Sequence, residues 1–324
     1  MTPVVWTGRR DVSGLRVVVT GARGQLGRYL RTTLEDRGAH VIGLGHRHGA
    51  GIDLAADLID VSSVQHALAL AEPDLVIHAA AYTDVDGCEL NPSLAEAVNV
   101  TGSTYVAEAA QALGAHLVAI STDFVFAGDG DAPYEESADA NPISVYGRSK
   151  LAGEAAVRSV NPGFTIVRTA WLYGGTGKHF PRSVLTILRD RGAMAVVTDE
   201  RGSPTFAGDL AAAVVDLAPS RPEGIFHLVN EGAASRFEFA QAIAQIAGLN
   251  EDLVSPTTSA EFLARYPLPA RRPTDSSLAN TRAAAMGIIL RPWRDALHGY
   301  IPDLVMELRL SRDETPAGKG VSQT

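Results

Sequence analysis

At 324 residues, with 46% hydrophobic and 20% charged positions, the chain is long enough for a full apolar core and two domains, and too apolar for a disordered tail. Its 37 acidic against 28 basic residues leave a net charge of -9, which argues against nucleic acid or an anionic membrane as partner. The single cysteine, Cys88, excludes an internal disulfide framework and any multi-cysteine metal site. No apolar run reaches the roughly 18 residues of a membrane span, and Met1 to Arg10 lack the apolar stretch of a signal peptide, so the cytoplasm is the expected address.

Leu15 to Thr20 is a β-branched run that ends in a glycine cluster and passes into an amphipathic stretch, Leu26 to Arg37, so it reads as strand, tight turn and helix. Strands are expected at His40 to Leu44, Leu75 to His78, His116 to Ser121 and Phe164 to Arg168, with helices at Asn99 to Leu113 and Ser144 to Ser159. Short apolar strands alternating with alanine-rich helices specify a doubly wound α/β domain, a parallel sheet covered on both faces. Beyond Trp171 the rhythm loosens into a helix at Arg182 to Arg191, strands at Ala195 to Thr198 and Gly224 to Asn230, and a capping box, Ser235-Arg236-Phe237-Glu238, opening another helix. The expected organisation is a nucleotide-binding domain over 14–172, rejoined by 205–230, and a smaller lobe from 173–204 and 231–310. Residues 1–13 and 311–324 are expected to be a mobile extension and tail.

The turn Gly21-Ala22-Arg23-Gly24-Gln25-Leu26-Gly27 suits a pyrophosphate, because glycines allow a tight bend and a close approach of backbone to ligand at a helix start. By itself the pattern is weak, arising by chance in roughly a quarter of such chains. Its place on the first strand-to-helix junction of an alternating chain gives it weight. About 20 residues further on, where an NAD site would carry an acid for the ribose 2′-hydroxyl, the chain has Gly45-His46-Arg47. Those two side chains suit a 2′-phosphate, so NADPH is the expected cofactor, with NADH as the alternative.

Tyr146 and Lys150 fall at i and i+4, on one face of the expected helix. An ammonium beside a phenol favours phenolate, which would bring the phenol's pKa of about 10 towards the working range of an acid that protonates a developing alkoxide. The chain has only three lysines, Lys150, Lys178 and Lys319, so such a pair arises by accident in roughly 7% of chains of this make-up. Ser121-Thr122-Asp123 ends a strand at the carboxyl edge where open α/β sheets bind ligands, and a hydroxyl there can orient a carbonyl for hydride attack.

These blocks resemble the extended short-chain dehydrogenase/reductase superfamily and, within it, the dTDP-4-dehydrorhamnose reductases, over roughly Leu15 to Ile301. Asp57-Leu58-Ile59-Asp60 looks like the family element whose first two residues contact the adenosine. Ala79-Ala80-Ala81-Tyr82-Thr83-Asp84-Val85-Asp86 is specific to these reductases and, by resemblance, lines the pyrophosphate and nicotinamide ribose. Arg168-Thr169-Ala170-Trp171-Leu172-Tyr173-Gly174, Gly202-Ser203-Pro204-Thr205 and Arg272-Pro273-Thr274-Asp275-Ser276-Ser277-Leu278 agree as well. The resemblance implies a Rossmann-type doubly wound parallel sheet with a smaller C-terminal substrate-binding lobe. It also implies NADPH-dependent reduction of the C4 ketone of a dTDP-4-keto-6-deoxyhexose, in which Tyr146 is the acid, Lys150 tunes it and Thr122 positions the oxygen. The cofactor would meet Gly21, Gly24, Gln25, Leu26, Gly27, His46, Arg47, Asp57, Leu58, Ala80, Ala81, Tyr82, Tyr146 and Lys150. The sugar nucleotide would meet Thr122, Asp123, Tyr146 and Trp171, whose ring offers an apolar face to a deoxysugar.

Three departures stand out: a long loop between Leu44 and Asp57, Asp199-Glu200 where the family usually has Asp-Gln, and Asp275 for a frequent asparagine. No metal ligands are assigned, and monomer and homodimer stay open. Dehydratases of the superfamily follow the threonine with Asp-Glu, whereas Phe124 after Asp123 cannot transfer a proton. A reductase for another dTDP-4-keto sugar, an epimerase, and a non-catalytic subunit like the beta subunit of methionine adenosyltransferase are the competing readings.

Overall fold

The computed structural model describes residues 10–313, with side chains through Leu308. Most of the expected extension and tail lies outside the described residues. Where the two meet, Val12 is buried in the core at 1% exposure, and the final helix continues through Asp313.

The first half runs β1 (Arg16–Thr20), α1 (Gln25–Glu35), β2 (His40–Gly45), β3 (Leu54–Ala55), α2 (Val61–Ala71), β4 (Leu75–His78), α3 (Val85–Leu90) and α4 (Pro92–Glu96). A π-helical turn (Ala97–Thr101) leads into α5 (Gly102–Ala112), followed by β5 (His116–Thr122), α6 (Val145–Val160) and β6 (Thr165–Thr169). Side chains set the helix starts: Asp60 accepts from the backbone N–H groups of Ser62 and Ser63, and Ser144 accepts from that of Gly147. The helix expected from Asn99 to Leu113 is divided, its first residues forming the π-helical turn.

The second half runs β7 (Leu172–Tyr173), α7 (Phe180–Arg191), β8 (Met194–Val197), β9 (Arg201–Gly202), β10 (Thr205–Phe206), α8 (Ala207–Leu217) and β11 (Gly224–His227). It continues with β12 (Ala234–Ser235), α9 (Arg236–Ile246), β13 (Val254–Thr257), α10 (Ser259–Arg265), α11 (Thr281–Ala285) and α12 (Trp293–Asp313). The strand expected over Gly224 to Asn230 stops at His227. Asn230 turns inward, where its amide accepts from Phe206 N and donates to Asp209 and the Arg291 carbonyl.

Seven strands form one parallel sheet in the order β11-β6-β5-β4-β1-β2-β3, a Rossmann-type arrangement. The chain winds outward in both directions from the β1/β4 junction, which leaves a crevice at the carboxyl ends of the strands. Leu26, Leu30 and Leu34 of α1 pack with Leu210 and Val214 of α8 on one face, and Val64, Leu68, Val106 and Ala110 cover the other. A separate apolar cluster built on Val184, Leu188, Phe239, Leu297 and Ile301 holds α7, α9 and α12 together beside the crevice. No helix among the described residues is long and apolar enough to cross a membrane.

Candidate active site

A cavity of about 2040 Å³ opens along the carboxyl edge of the sheet. At its first end, Gly21 has φ +66°, and a Cβ there would lie 2.9 Å from the backbone of Ala80, so the turn and the end of β4 touch main chain to main chain. A Cβ on Gly27 would run into the Gly21 carbonyl. Gly24 precedes α1 with no side-chain cap, and the first turn carries no acid, so the positive end of the helix dipole faces the cavity unscreened. This bare cradle fits a pyrophosphate. Leu26, Ala80 and Ala81 line the same end.

His46 and Arg47 leave β2 exposed and line the cavity, as do Asp57 and Leu58. His46 Nδ1 is 3.8 Å from Asp57 Oδ1, so the two basic side chains and the acid share one rim. Gln25 also lines the cavity, but its amide reaches the far lobe, donating to the Gly174 carbonyl at 3.0 Å. Tyr82 departs from expectation, because it does not line the cavity. Asn99 clamps its peptide, with Tyr82 N donating to Asn99 Oδ1 at 2.8 Å and Asn99 Nδ2 donating to the Tyr82 carbonyl at 3.0 Å. Asn99 Nδ2 also donates to Ser149 Oγ on α6, so the π-helical turn ties this loop to the helix that carries Tyr146.

Thr122, Asp123, Tyr146 and Lys150 meet at the centre, buried at the carboxyl end of β5 and the start of α6. Thr122 Oγ1 donates to Asp123 Oδ1 at 3.0 Å, and Ser276 Oγ donates to Asp123 Oδ2 at 2.6 Å. Burial pushes the Asp123 carboxyl up to about 6 against the pull of those bonds. Phe124 meets the Tyr146 ring edge-on at 5.6 Å.

The expected tuning of the phenol is reversed. Burial holds Tyr146 above its ordinary pKa, a hydrogen bond with Thr122 lowers it only in part, and Asp123 and Cys88 add to the rise. The Lys150 ammonium donates instead to the Ile120 carbonyl at 2.8 Å, and burial lowers Lys150 to about 8. Desolvation therefore dominates the phenol, which stays protonated at neutral pH.

At the other end Trp171 adopts φ 43°, its indole lying over Gly202, where a Cβ would clash with the ring. The Arg236 guanidinium stacks on the same ring, 3.6 Å from the ring centre and 5.2 Å from that of Phe180. Arg236 Nε lies 3.8 Å from Glu200 Oε2, and burial pushes the Glu200 carboxyl up while Arg236 opposes that rise. Asp86 and Arg272 form a two-pronged pair at 2.6 and 2.8 Å that fastens α3 to the segment crossing the cavity mouth. Sequence reading missed Arg236, Glu200, Arg272, Ser276 and Asn99 as cavity or supporting residues. Arg236 had shown itself only as the first helical residue of a capping box.

The family model described as the RmlD substrate binding domain matches residues 15–306. The chain is 40% identical over 301 residues to dTDP-4-dehydrorhamnose reductase of Mycolicibacterium smegmatis, covering 92% of this chain and 88% of that protein. It is 38% identical over 311 residues to a Streptomyces antibioticus protein named "Probable dTDP-4,6-dihydroxy-2-methyloxan-3-one 4-ketoreductase", covering 95% of this chain and all of that one. Among solved structures, dTDP-4-dehydrorhamnose reductase from Bacillus anthracis in complex with NADP superposes with a TM-score of 0.82 at 35% identity, over 90% of this chain and 99% of that one.

Proposed function

Since the chain belongs to the RmlD substrate binding domain family, we propose that it reduces the C4 ketone of a dTDP-4-keto-6-deoxyhexose with NADPH, dTDP-4-dehydro-L-rhamnose going to dTDP-L-rhamnose. The observation that carries this reading is the convergence of Thr122, Tyr146 and Lys150 in one cavity with the bare glycine turn. Bound there, NADPH supplies the hydride. The turn from Gly21 to Gly27 holds the pyrophosphate at the start of α1, and His46 and Arg47 face the 2′-phosphate. Thr122 turns its hydroxyl from Asp123 to donate to the ketone oxygen, and Tyr146, kept protonated by burial, delivers its proton as charge develops there. Lys150 stabilises the tyrosinate that remains. Residues 14–172 and 205–230 hold the cofactor in this reading, and 173–204 with 231–310 hold the sugar nucleotide.

Trp171, stiffened by Arg236, lines the cavity where the deoxysugar would lie. The likeness to the Streptomyces antibioticus protein favours a second reading, reduction of a different dTDP-4-keto sugar at the same site. The decisive assay follows reduced-nicotinamide absorbance with dTDP-4-keto-L-rhamnose made in situ and identifies the sugar product. Rapid oxidation with formation of dTDP-L-rhamnose is expected. A protein that binds NADPH yet leaves this substrate untouched and turns over another dTDP-4-keto sugar would move the assignment to the second reading.

A further inference from the structure

Tyr146, Lys150 and Glu154 recur every fourth residue of α6, and all three are buried, at 8%, 6% and 5% exposure. The first two face the main cavity; Glu154 sits one turn deeper, behind them. Its carboxylate is fully engaged. Oε1 accepts from Ser121 Oγ at 2.5 Å and from Arg168 Nε at 2.9 Å, and Oε2 accepts from Arg168 Nη2 at 2.7 Å. Ser121 stands in β5 between Ile120, whose carbonyl receives the Lys150 ammonium, and Thr122. Three successive residues of β5 are therefore each matched to one turn of α6. A small cavity of about 10 Å³, close to the room one water needs, is lined by both Lys150 and Glu154 and also by His78, Ser103 and Ser121.

A buried lysine tends to lose its proton, because desolvation disfavours the charged form. The groups around Lys150 decide whether it does. His78 on β4 is pushed down to about 3 by burial and by Lys150 itself, so it is neutral and supplies no charge. Tyr146 is held protonated, and Cys88 on α3, pushed up to about 11, is a neutral thiol. Asp123 at the end of β5 is carried by Ser276 and Thr122. Arg168 on β6 spends its charge on Glu154. Glu154 is the one neighbour that raises Lys150 against the lowering by burial.

We propose that Glu154 is the positioning residue and counter-charge that keeps Lys150 protonated in its buried site, with Arg168 and Ser121 holding the carboxylate in place. Lys150's part in proton transfer rests on the reductase reading; its charge state can be read without turnover. The chain has three lysines, so protein carrying ¹³C at lysine Cε gives three side-chain signals, and Lys150→Met identifies the one that matters. In the native chain that signal is expected to titrate near 8. In Glu154→Gln the midpoint falls by about one pH unit or more, and Glu154→Asp restores most of it.

Glu154→Gln leaves Arg168 buried without a counter-charge and can cost the fold. Glu154→Gln with Arg168→Met removes both charges, and its Lys150 midpoint is likewise expected below the native one. A native midpoint in either variant overturns the inference. In an active enzyme the alkaline limb of kcat/KM must move with the midpoint; a uniform loss of rate with an unmoved limb also overturns it. A displaced midpoint in a protein that reduces no keto sugar would instead count against the reductase reading alone.

Discussion

The Arg236 guanidinium and the Trp171 indole stack at 3.6 Å, and the Gly202 backbone abuts the same ring closely enough to leave no room for a side chain. Trp171 holds this place at φ 43°, a conformation that a bulky side chain adopts only when its surroundings enforce it. The indole is thus fixed before any sugar arrives. Gly202→Ala would put a methyl group into the ring and displace it. The expected result in steady-state kinetics is a rise of about tenfold in KM for the sugar nucleotide with NADPH affinity unchanged, a difference of about 1.4 kcal/mol. An equal loss for both ligands would assign Trp171 to the general fold instead.

Tyr146→Phe keeps the edge contact with Phe124 and removes only the hydroxyl. Turnover should fall by about 10² to 10⁴, with NADPH binding by fluorescence titration nearly intact, because the lost interaction is made in the transition state. Native-like turnover would remove Tyr146 from the role of acid.

Arg47 is exposed at the rim, and His46 beside it already has Asp57 at 3.8 Å. The guanidinium is therefore the stronger candidate for a 2′-phosphate. Arg47→Ala should reduce kcat/KM with NADPH about tenfold and leave the value with NADH within about twofold. Parallel losses with both cofactors would show that the rim does not read the phosphate.

Acid should destabilise the protein. Burial pushes His78 and His227 down to about 3, and His116 and His179 to about 4. These folded values lie below the ordinary 6.5, so the unfolded chain takes up protons first. The stability the histidines contribute is whole above about 6.5 and is lost as pH falls towards 4, at about 1.4 kcal/mol per pH unit for each. Asp123 acts in the opposite sense. Its folded value of about 6 exceeds the ordinary 3.8, so its contribution is present in acid and lost as pH rises through 6. Glu200, also pushed up by burial, acts in the same sense as Asp123, but four imidazoles outweigh the two carboxyls. Tm should fall steadily from pH 7 to pH 5, and His227→Asn should flatten the slope by about one proton. A Tm that stays level over that range would contradict the neutral state of these rings.

What could be read along the chain was what depends on neighbours in sequence. Strands β1, β4 and β5 and the glycine turn follow from β-branched runs and adjacent glycines, and the i to i+4 spacing puts Tyr146 and Lys150 on one face of α6. What could not be read depends on partners far away. Arg236 meets Trp171 across 65 positions, and Ser276 reaches Asp123 across 153. The phenol's pKa was misjudged for the same reason: the helix shows the nearby lysine, whereas the desolvation that wins comes from the packing of α3, α4 and α6 with Phe124 after β5. The break in the helix at Asn99 answers to a side-chain clamp on Tyr82 that no local propensity encodes.

Gln25 and Tyr29 stand one turn apart on α1, and both grip the loop after β7: Gln25 donates to the Gly174 carbonyl and the Tyr29 hydroxyl accepts from Gly175 N. The helix whose bare start lines one end of the cavity is thereby also the bracket from which the loop after β7 hangs. The glycine turn and the loop after β7 thus share a single alignment rail, and a disturbance along α1 is passed to both.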